Sequence, residues 1–437
     1  MNWKPSFAIV LMGVTAICYG GGKVIEKKQD GGRRAALCWC FAVLGLLPLL
    51  VFKYYNFLND SLTSILESLG LHWGLPGLNW AIPIGISFFT FQAVGYLLDV
   101  YKKRVPVENN FLDFALFVSF FPQVTSGPIS TANELLPQFK VPHVFRYEQG
   151  RDGLKMLIWG MFLKLVLADR IDIYVDTVYS NYVHYSGAVC FCASIMYTLQ
   201  IYCDFAGYSL MAIGIAKTLG FDLINNFERP YLAASITEFW RRWHISLTRW
   251  LTTHVYINLG GNRCSTTRQY VNIMITFLVS GLWHGANWTF VVWGALHGLY
   301  QIVEKALMGA KLKSELKGGL HKFSFVRGFR IVATFMLVSF AWIFFRMPTI
   351  DGAIDVIEKI FTDFGQFSLG PLNPISMVGI GFGLPLLFAR EVREEYFPNQ
   401  IKLLNYPIVK WAFYVWIACY TLAMGILDAG QFIYVTF

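Results

Sequence analysis

Apolar runs divided by short polar stretches occupy most of this chain. They cover residues 7–19, 35–52, 82–100, 111–124, 154–167, 188–202, 205–219, 271–282, 288–303, 332–345, 375–387 and 409–427. A membrane-spanning helix needs about 20 apolar residues. Several of these runs fall short, and glycine, proline or a charge interrupts others. Short pieces persist at membrane depth only when protein shields them or when they line a cavity. The pattern therefore predicts an all-α, polytopic bundle around an internal pathway. The stretch 235–259 differs from its neighbours. Ser235-x-x-Glu238 reads as a capping box that starts a helix. At 100° per residue, Glu238, Arg241, Arg242, Thr248, Arg249 and Thr252 share one face, and Ile236, Phe239, Trp243, Leu247 and Trp250 the other. That predicts a basic amphipathic helix at an interface, with His244 near the border of its faces.

Composition supports the membrane reading. Of 437 residues, 55% are hydrophobic and only 14% charged, against about 25% charged in an ordinary soluble protein. The 14 Trp and 22 Tyr suit interfacial belts and intramembrane pockets. The net charge of +9 collects in three basic loops. Lys23, Lys27, Lys28, Arg33 and Arg34 form the first. Lys102, Lys103 and Arg104 form the second. Lys311, Lys313, Lys317, Lys322, Arg327 and Arg330 form the third. The positive-inside rule puts all three in the cytoplasm. The last run starts beside Lys410, so the C-terminus is expected outside. The basic residues flank apolar spans and form no single patch, which argues against nucleic-acid binding.

The eight cysteines show no metal spacing and no disulfide framework. Cys38 and Cys40 are expected on opposite sides of one helix. The first apolar run lacks a basic leader and a cleavage site, so it reads as a span and not as a secretory signal. The chain has no linker and is read as one domain, 1–437. It has no Gly-rich phosphate loop, no serine nucleophile elbow and no metal-ligand spacing.

The chemistry gathers on a few polar residues at membrane depth, where ionisable groups are costly and mark functional sites. His284, in Trp283-His284-Gly285, lies between two uncharged runs. A neutral imidazole can remove a proton from a hydroxyl. Ser280-Gly281 and Gly285-Ala286 are read as leaving room for a ligand beside the ring. Asn287 is expected to cap the next helix. His244 is a second polar position, at the edge of the amphipathic stretch. His297 is also intramembrane, at an undetermined distance from His284. Asp204 is read as an N-cap for a helix beginning at Phe205.

At these residues the chain resembles the membrane-bound O-acyltransferase family, in its bacterial branch of alginate O-acetylases, peptidoglycan O-acetyltransferases and D-alanyl transfer proteins. The similar stretches begin with Pro83-Ile84-Gly85-Ile86-Ser87-Phe88-Phe89-Thr90-Phe91-Gln92, Phe120-Phe121-Pro122-Gln123 and Ser126-Gly127-Pro128-Ile129. Tyr202-Cys203-Asp204-Phe205-Ala206-Gly207-Tyr208-Ser209 and Asn226-Phe227-Glu228-Arg229-Pro230-Tyr231 follow. Then come Phe239-Trp240-Arg241-Arg242-Trp243-His244-Ile245-Ser246-Leu247, Gly260-Gly261-Asn262-Arg263 and Gly281-Leu282-Trp283-His284-Gly285. The likeness covers about 51–300, and by the resemblance the chain is expected to begin short of the family's N-terminal spans.

The resemblance implies a ring of about 11 membrane helices around a thin central funnel, with short re-entrant or interfacial helices. It implies His284 and His244 as the catalytic pair. The donor or acceptor pocket is expected among Trp283, Trp240, Asp204, Asn287, His297 and Arg263. The implied donor is acetyl-CoA or a carrier-protein thioester, with no bound cofactor and no metal. The implied acceptor is an extracytoplasmic polysaccharide, reached with the help of an extracytoplasmic acetyltransferase partner. The ending Phe432-Ile433-Tyr434-Val435-Thr436-Phe437 resembles a family ending whose tyrosine carries the acyl group, although Val435 departs from its usual Phe. The expected location is the bacterial cytoplasmic membrane. Two competing readings are D-alanyl transfer from an acyl carrier protein to teichoic acid, and a transporter or channel.

Overall fold

The computed structural model describes residues 6–71, 74–317, 324–366, 370–397 and 406–426. Every regular element among them is helical. Among the described residues, six helical stretches are long and apolar enough to cross a membrane: Phe7–Glu26, Gly32–Ser68, Gly187–Thr218, Phe325–Arg346, Pro374–Tyr396 and Pro407–Met424. The molecule is therefore a multi-pass membrane protein. The chain packs as two compact units. One comprises Met1–Gly150 with Ala216–Ile224, and the other Arg151–Ile215 with the chain from Asn225 onward.

The first unit contains α1 (Ser6–Glu26), α2 (Gly32–Leu49), α3 (Tyr55–Ser68), α4 (Ile86–Tyr101), α5 (Phe111–Ser119) and α6 (Ala132–Phe139). Helices α1, α2 and α4 pack on one another. Arg34 is buried, although it belongs to the first basic loop by sequence. Its guanidinium donates to the carbonyls of Ile25 and Val100, each at 3.3 Å, and so ties the ends of α1 and α4 to the start of α2. A buried amide relay follows. Gln92 donates to the Phe117 carbonyl at 2.5 Å, Gln123 to Gln92 Oε1 at 3.1 Å, and Ser130 to Gln123 Oε1 at 2.7 Å. Buried polar groups need such partners. The glutamines of the Phe91-Gln92 and Pro122-Gln123 motifs thus serve the packing of this unit.

The second unit contains α7 (Tyr147–Met161, from Arg151 on), α8 (Asp169–Ser180) and α9 (Gly187–Thr218, to Ile215). It continues with α10 (Ile236–Arg242), α11 (Ile245–Leu251), α12 (Thr266–His284) and α13 (Trp288–Lys317). Helices α14 (Phe325–Arg346), α15 (Ile350–Thr362), α16 (Pro374–Tyr396) and α17 (Pro407–Met424) complete it. Helix α9 crosses α7 on small residues. A Cβ on Gly207 would sit 2.8 Å from the Gly160 carbonyl, and one on Gly214 would sit 2.6 Å from the Gly153 carbonyl. Small residues permit such close approach between membrane helices.

Two expectations change here. The runs 188–202 and 205–219 form the single helix α9, and Asp204 lies in its interior rather than at an N-cap. The carboxylate does not break the helix because Lys164 Nζ lies 2.6 Å from Asp204 Oδ1 and 2.7 Å from Asp169 Oδ1. Lys164 sits in a π-helical turn, Phe162–Ala168, between α7 and α8. Such turns bulge a helix and re-aim its side chains. The stretch 235–259, expected as one interfacial helix, is broken into α10, α11 and a π-helical turn, Thr252–Tyr256.

The cysteines follow the expected geometry at one point: Cys38 is buried and Cys40 exposed, on opposite sides of α2.

Candidate functional site

The break between α10 and α11 creates the site. Ser235 caps α10 as expected and accepts from the Glu238 N–H at 3.0 Å. Glu238 reaches one residue further back than a capping box requires, accepting from the Ala234 N–H at 2.8 Å. Helix α10 then stops at Arg242, where Trp243 turns extended, φ −104° and ψ 129°, and His244 adopts a left-handed backbone, φ 42° and ψ 54°. Side chains rarely take that region, although histidine does so more readily than most. Two backbone bonds hold the turn against the stretch before it. Glu228 N–H donates to the Arg242 carbonyl at 2.9 Å, and Ile245 N–H to the Asn226 carbonyl at 3.0 Å.

Part of the expected basic face turns inward: Glu238 and Arg242 are drawn into ion pairs, while Arg241, Arg249 and Thr252 stay exposed. Arg242 pairs with Glu238 at 2.6 Å and with Glu395 at 2.7 Å. Arg327 pairs with Glu238 at 2.9 Å, and Arg229 with Glu395 at 2.8 Å. A charge carried into low dielectric needs a partner, and here each carboxylate has at least two guanidinium groups. His244 is consequently not at a polar border. It is wholly buried.

Asn226 fixes the ring. Its Oδ1 accepts from the Ser246 backbone N–H at 3.1 Å and from the Ser246 hydroxyl at 2.9 Å, and it meets His244 Nδ1 at 3.2 Å. An atom that accepts from a backbone N–H is the amide oxygen, so Nδ1 carries the proton and Nε2 the lone pair. This tautomer is assigned from the network. Asn226 was not among the expected site residues. Its signal in the sequence is weak, because an asparagine in a turn is ordinary and its partner lies far along the chain. Replacing Asn226 with alanine should leave up to three buried donors without their acceptor, at a cost on the order of 1–3 kcal/mol. Thermal unfolding in detergent should fall accordingly, and an unchanged midpoint with unchanged transfer would remove Asn226 from this role.

His284 is the last residue of α12 and is 2% exposed. Its ring meets Trp283 at 4.9 Å, Trp293 at 5.0 Å and Phe345 at 5.3 Å between centroids, all edge-to-face. The His244 ring lies 6.4 Å away, and Trp283 touches both histidines. Asn287 caps α13 as expected, accepting from the Thr289 N–H at 3.0 Å, and it also donates to the Pro348 carbonyl at 2.8 Å. The space read beside Gly281 and Gly285 is filled. A Cβ on Gly281 would overlap the Phe290 carbonyl, and one on Gly285 the Phe290 ring. These glycines let α13 close on α12 and bring Trp293 against His284.

His297 joins the cluster. Its Nδ1 accepts from Trp240 Nε1 at 3.3 Å, and its ring lies 5.0 Å from Trp293, which separates it from His284. Asn287 turns to Thr289 and Pro348, while Trp283, Trp240 and His297 are gathered with the two histidines through shared ring contacts. Arg263 is not: it is exposed in the turn before α12. Asp204 is engaged with Lys164, although its neighbour Phe205 packs on His244 at 4.6 Å. Tyr434 lies outside the described residues.

A cavity of about 350 Å³ adjoins this cluster. Trp240, Leu247, Thr276 and Ser280 line it, and Arg241 of α10 with Lys305 and Gly309 of α13 also stand in its wall. Ser280 Oγ is buried and finds no hydrogen-bond partner among the described residues. Ser280 precedes His284 by one helical turn.

Fold and site together define a multi-pass, all-helical membrane protein with a buried histidine pair beside a ligand-sized cavity. Sequence comparison agrees with that class. The membrane-bound O-acyltransferase family model matches residues 101–345. The chain is 37% identical over 388 residues to the probable alginate O-acetylase of Pseudomonas aeruginosa, covering 88% of this chain and 72% of that protein. It is 34% identical over 386 residues to the peptidoglycan O-acetyltransferase of Helicobacter pylori, covering 82% and 70%. It is 24% identical over 339 residues to the teichoic acid D-alanyltransferase of Bacillus subtilis, covering 68% and 78%. The chain belongs to the membrane-bound O-acyltransferase family, and it is an O-acyltransferase.

Proposed function

We propose that this protein moves an acetyl group from a cytoplasmic thioester to a hydroxyl, for O-acetylation of an extracytoplasmic polysaccharide. The observation that carries this reading is the cavity that reaches Ser280, one turn from His284. Its volume lies within the range of ligand pockets, roughly 300–1,000 Å³. A slender pantetheine arm fits such a space better than a whole nucleotide does. Arg241 and Lys305, which line the cavity, suit the phosphates of coenzyme A. Lys305 and Gly309 belong to α13, which runs into the third basic loop, assigned to the cytoplasm by the positive-inside rule.

In this scheme His284 is the base. It takes the proton of the acceptor hydroxyl, whose oxygen attacks the thioester carbonyl. The tetrahedral intermediate collapses, the C–S bond breaks, and His284 returns the proton to the departing thiolate. The tautomer of His244 suits it to accept a hydrogen bond through Nε2. It would therefore orient the acceptor hydroxyl or the His284 ring, and not donate to an oxyanion. Trp283, Trp240 and Trp293 wall the reacting groups from water. Tyr434 is proposed as an acyl carrier that hands the group to an extracytoplasmic acetyltransferase partner. The protein would then sit in the bacterial cytoplasmic membrane with its C-terminus outside, its helices forming a ring around a thin centre. The names of the two acetyl-transferring relatives favour acetyl over D-alanyl as the cargo.

The test uses purified protein in detergent with isotopically labelled acetyl-CoA, followed by peptide mapping. A labelled Tyr434 in the wild type, absent in His284→Ala, is the expected result. No label in either protein, with the thioester intact, would turn the donor to a carrier-protein thioester. A D-alanyl carrier supplied in parallel distinguishes the teichoic acid reading.

A further inference from the structure

A second cavity, of about 460 Å³, lies between α7, α16 and α17, and nothing in acyl transfer uses it. Four cations line it: Lys155, Arg390, Arg393 and Lys410. Glu394 is the one carboxylate among the lining residues, and it is engaged with Arg390 at 2.8 Å and Arg393 at 3.5 Å. Asp152 stands 3.5 Å from Lys155. The cluster keeps an excess of positive charge. Arg390 is held rigidly, with its guanidinium 4.2 Å above the Trp159 ring. Yet its Nη1 is buried without a hydrogen-bond partner among the described residues. A guanidinium N–H removed from water without an acceptor is costly, so an anionic oxygen belongs there.

We propose that this cavity binds the phosphate of an anionic phospholipid from the cytoplasmic leaflet. Two observations select a lipid over a soluble anion. Helix α17 is only 11% buried along its apolar window, so it offers most of its surface to acyl chains. Leu386 and Phe413 supply apolar wall beside the cations. The leaflet follows from the neighbouring ion pairs. Glu395, at the same end of α16 as Arg393, pairs with Arg242 and lies 3.9 Å from Arg327 near the start of α14. The basic stretch that precedes α14 is cytoplasmic by the positive-inside rule. Basic pockets between membrane helices on that side select anionic headgroups.

The test titrates delipidated protein with phosphatidylglycerol and phosphatidylcholine, read by native mass spectrometry. Phosphatidylglycerol should bind roughly tenfold more tightly, and Arg390→Gln and Lys410→Gln should each weaken it roughly fivefold while leaving phosphatidylcholine unchanged. Equal affinity for the two lipids, or variants that bind as the wild type does, would overturn the proposal. Displacement by millimolar inorganic phosphate would overturn the lipid assignment in favour of a soluble anion. Photo-crosslinkable phosphatidylglycerol on the wild type guards against a misfolded variant. Label on peptides from α7, α16 and α17 is expected, and label confined elsewhere refutes the site.

Discussion

His284→Ala is expected to abolish acyl transfer while the protein still folds. Loss of a positioned general base costs about 10²–10⁴ in rate. The site offers little to replace it. Trp283, Trp293 and Phe345 press on His284 with aromatic edges and faces, which take up no proton. His244 is the nearby imidazole, but Asn226 holds it in place, with the rings 6.4 Å apart. The experiment compares turnover of a thioester donor by wild type, His284→Ala and His284→Gln at matched amounts of monodisperse protein. Glutamine keeps much of the volume and a hydrogen-bonding tip, so it separates lost chemistry from lost packing. Both variants should be inactive, with His284→Gln unfolding close to the wild type. Turnover within a few-fold of wild type in either would remove His284 from the reaction.

Lys164→Met should produce the largest loss of stability. The lysine faces two carboxylates, Asp204 and Asp169, at 2.6 and 2.7 Å. Asp204 is 1% exposed and lies within a membrane-crossing helix. Methionine matches the length of the lysine stem but leaves both carboxylates without their cation. Removing one partner of a buried pair costs about 3–5 kcal/mol. Lys164→Met should therefore fail to accumulate, or unfold well below the wild type in detergent. Adding Asp204→Asn to Lys164→Met should recover part of the loss, since it removes one of the stranded charges. A single variant as stable as wild type, or a double variant worse than the single, would show that the triad does not hold α9 to the turn before α8.

His284 and Asp204 also mark how far the sequence reaches. The burial of His284 was legible because a single imidazole between uncharged runs stands out against a membrane background. Asp204 was equally conspicuous, but its role was not. A lone aspartate before an apolar run looks like a helix start. Only a lysine forty residues earlier, brought across by a π-helical turn, allows the helix to run through it.

The sequence by itself determined the class. Mean hydropathy of +0.48 and repeated continuous apolar runs, which the alternating strands of a barrel would not show, mark a membrane protein built of helices, whose backbone groups satisfy one another in lipid. Its ordered motifs pointed to the family, and the family model and relatives agree. Local chemistry also set the Ser235 and Asn287 caps, since a cap needs only residues a few positions apart. The tertiary structure decided the site. Periodicity made 235–259 one amphipathic helix, but contacts from Asn226, Glu395 and Arg327 break it at His244 and draw Glu238 and Arg242 of its polar face inward, leaving Arg241 and Arg249 exposed. Glycines that looked like room for a ligand are filled by α13, and the space for one lies instead beyond Ser280. Periodicity records which side of a helix is apolar. It does not record which distant carboxylate or amide will make a buried polar face stable, and that pairing is what places His244 beside His284.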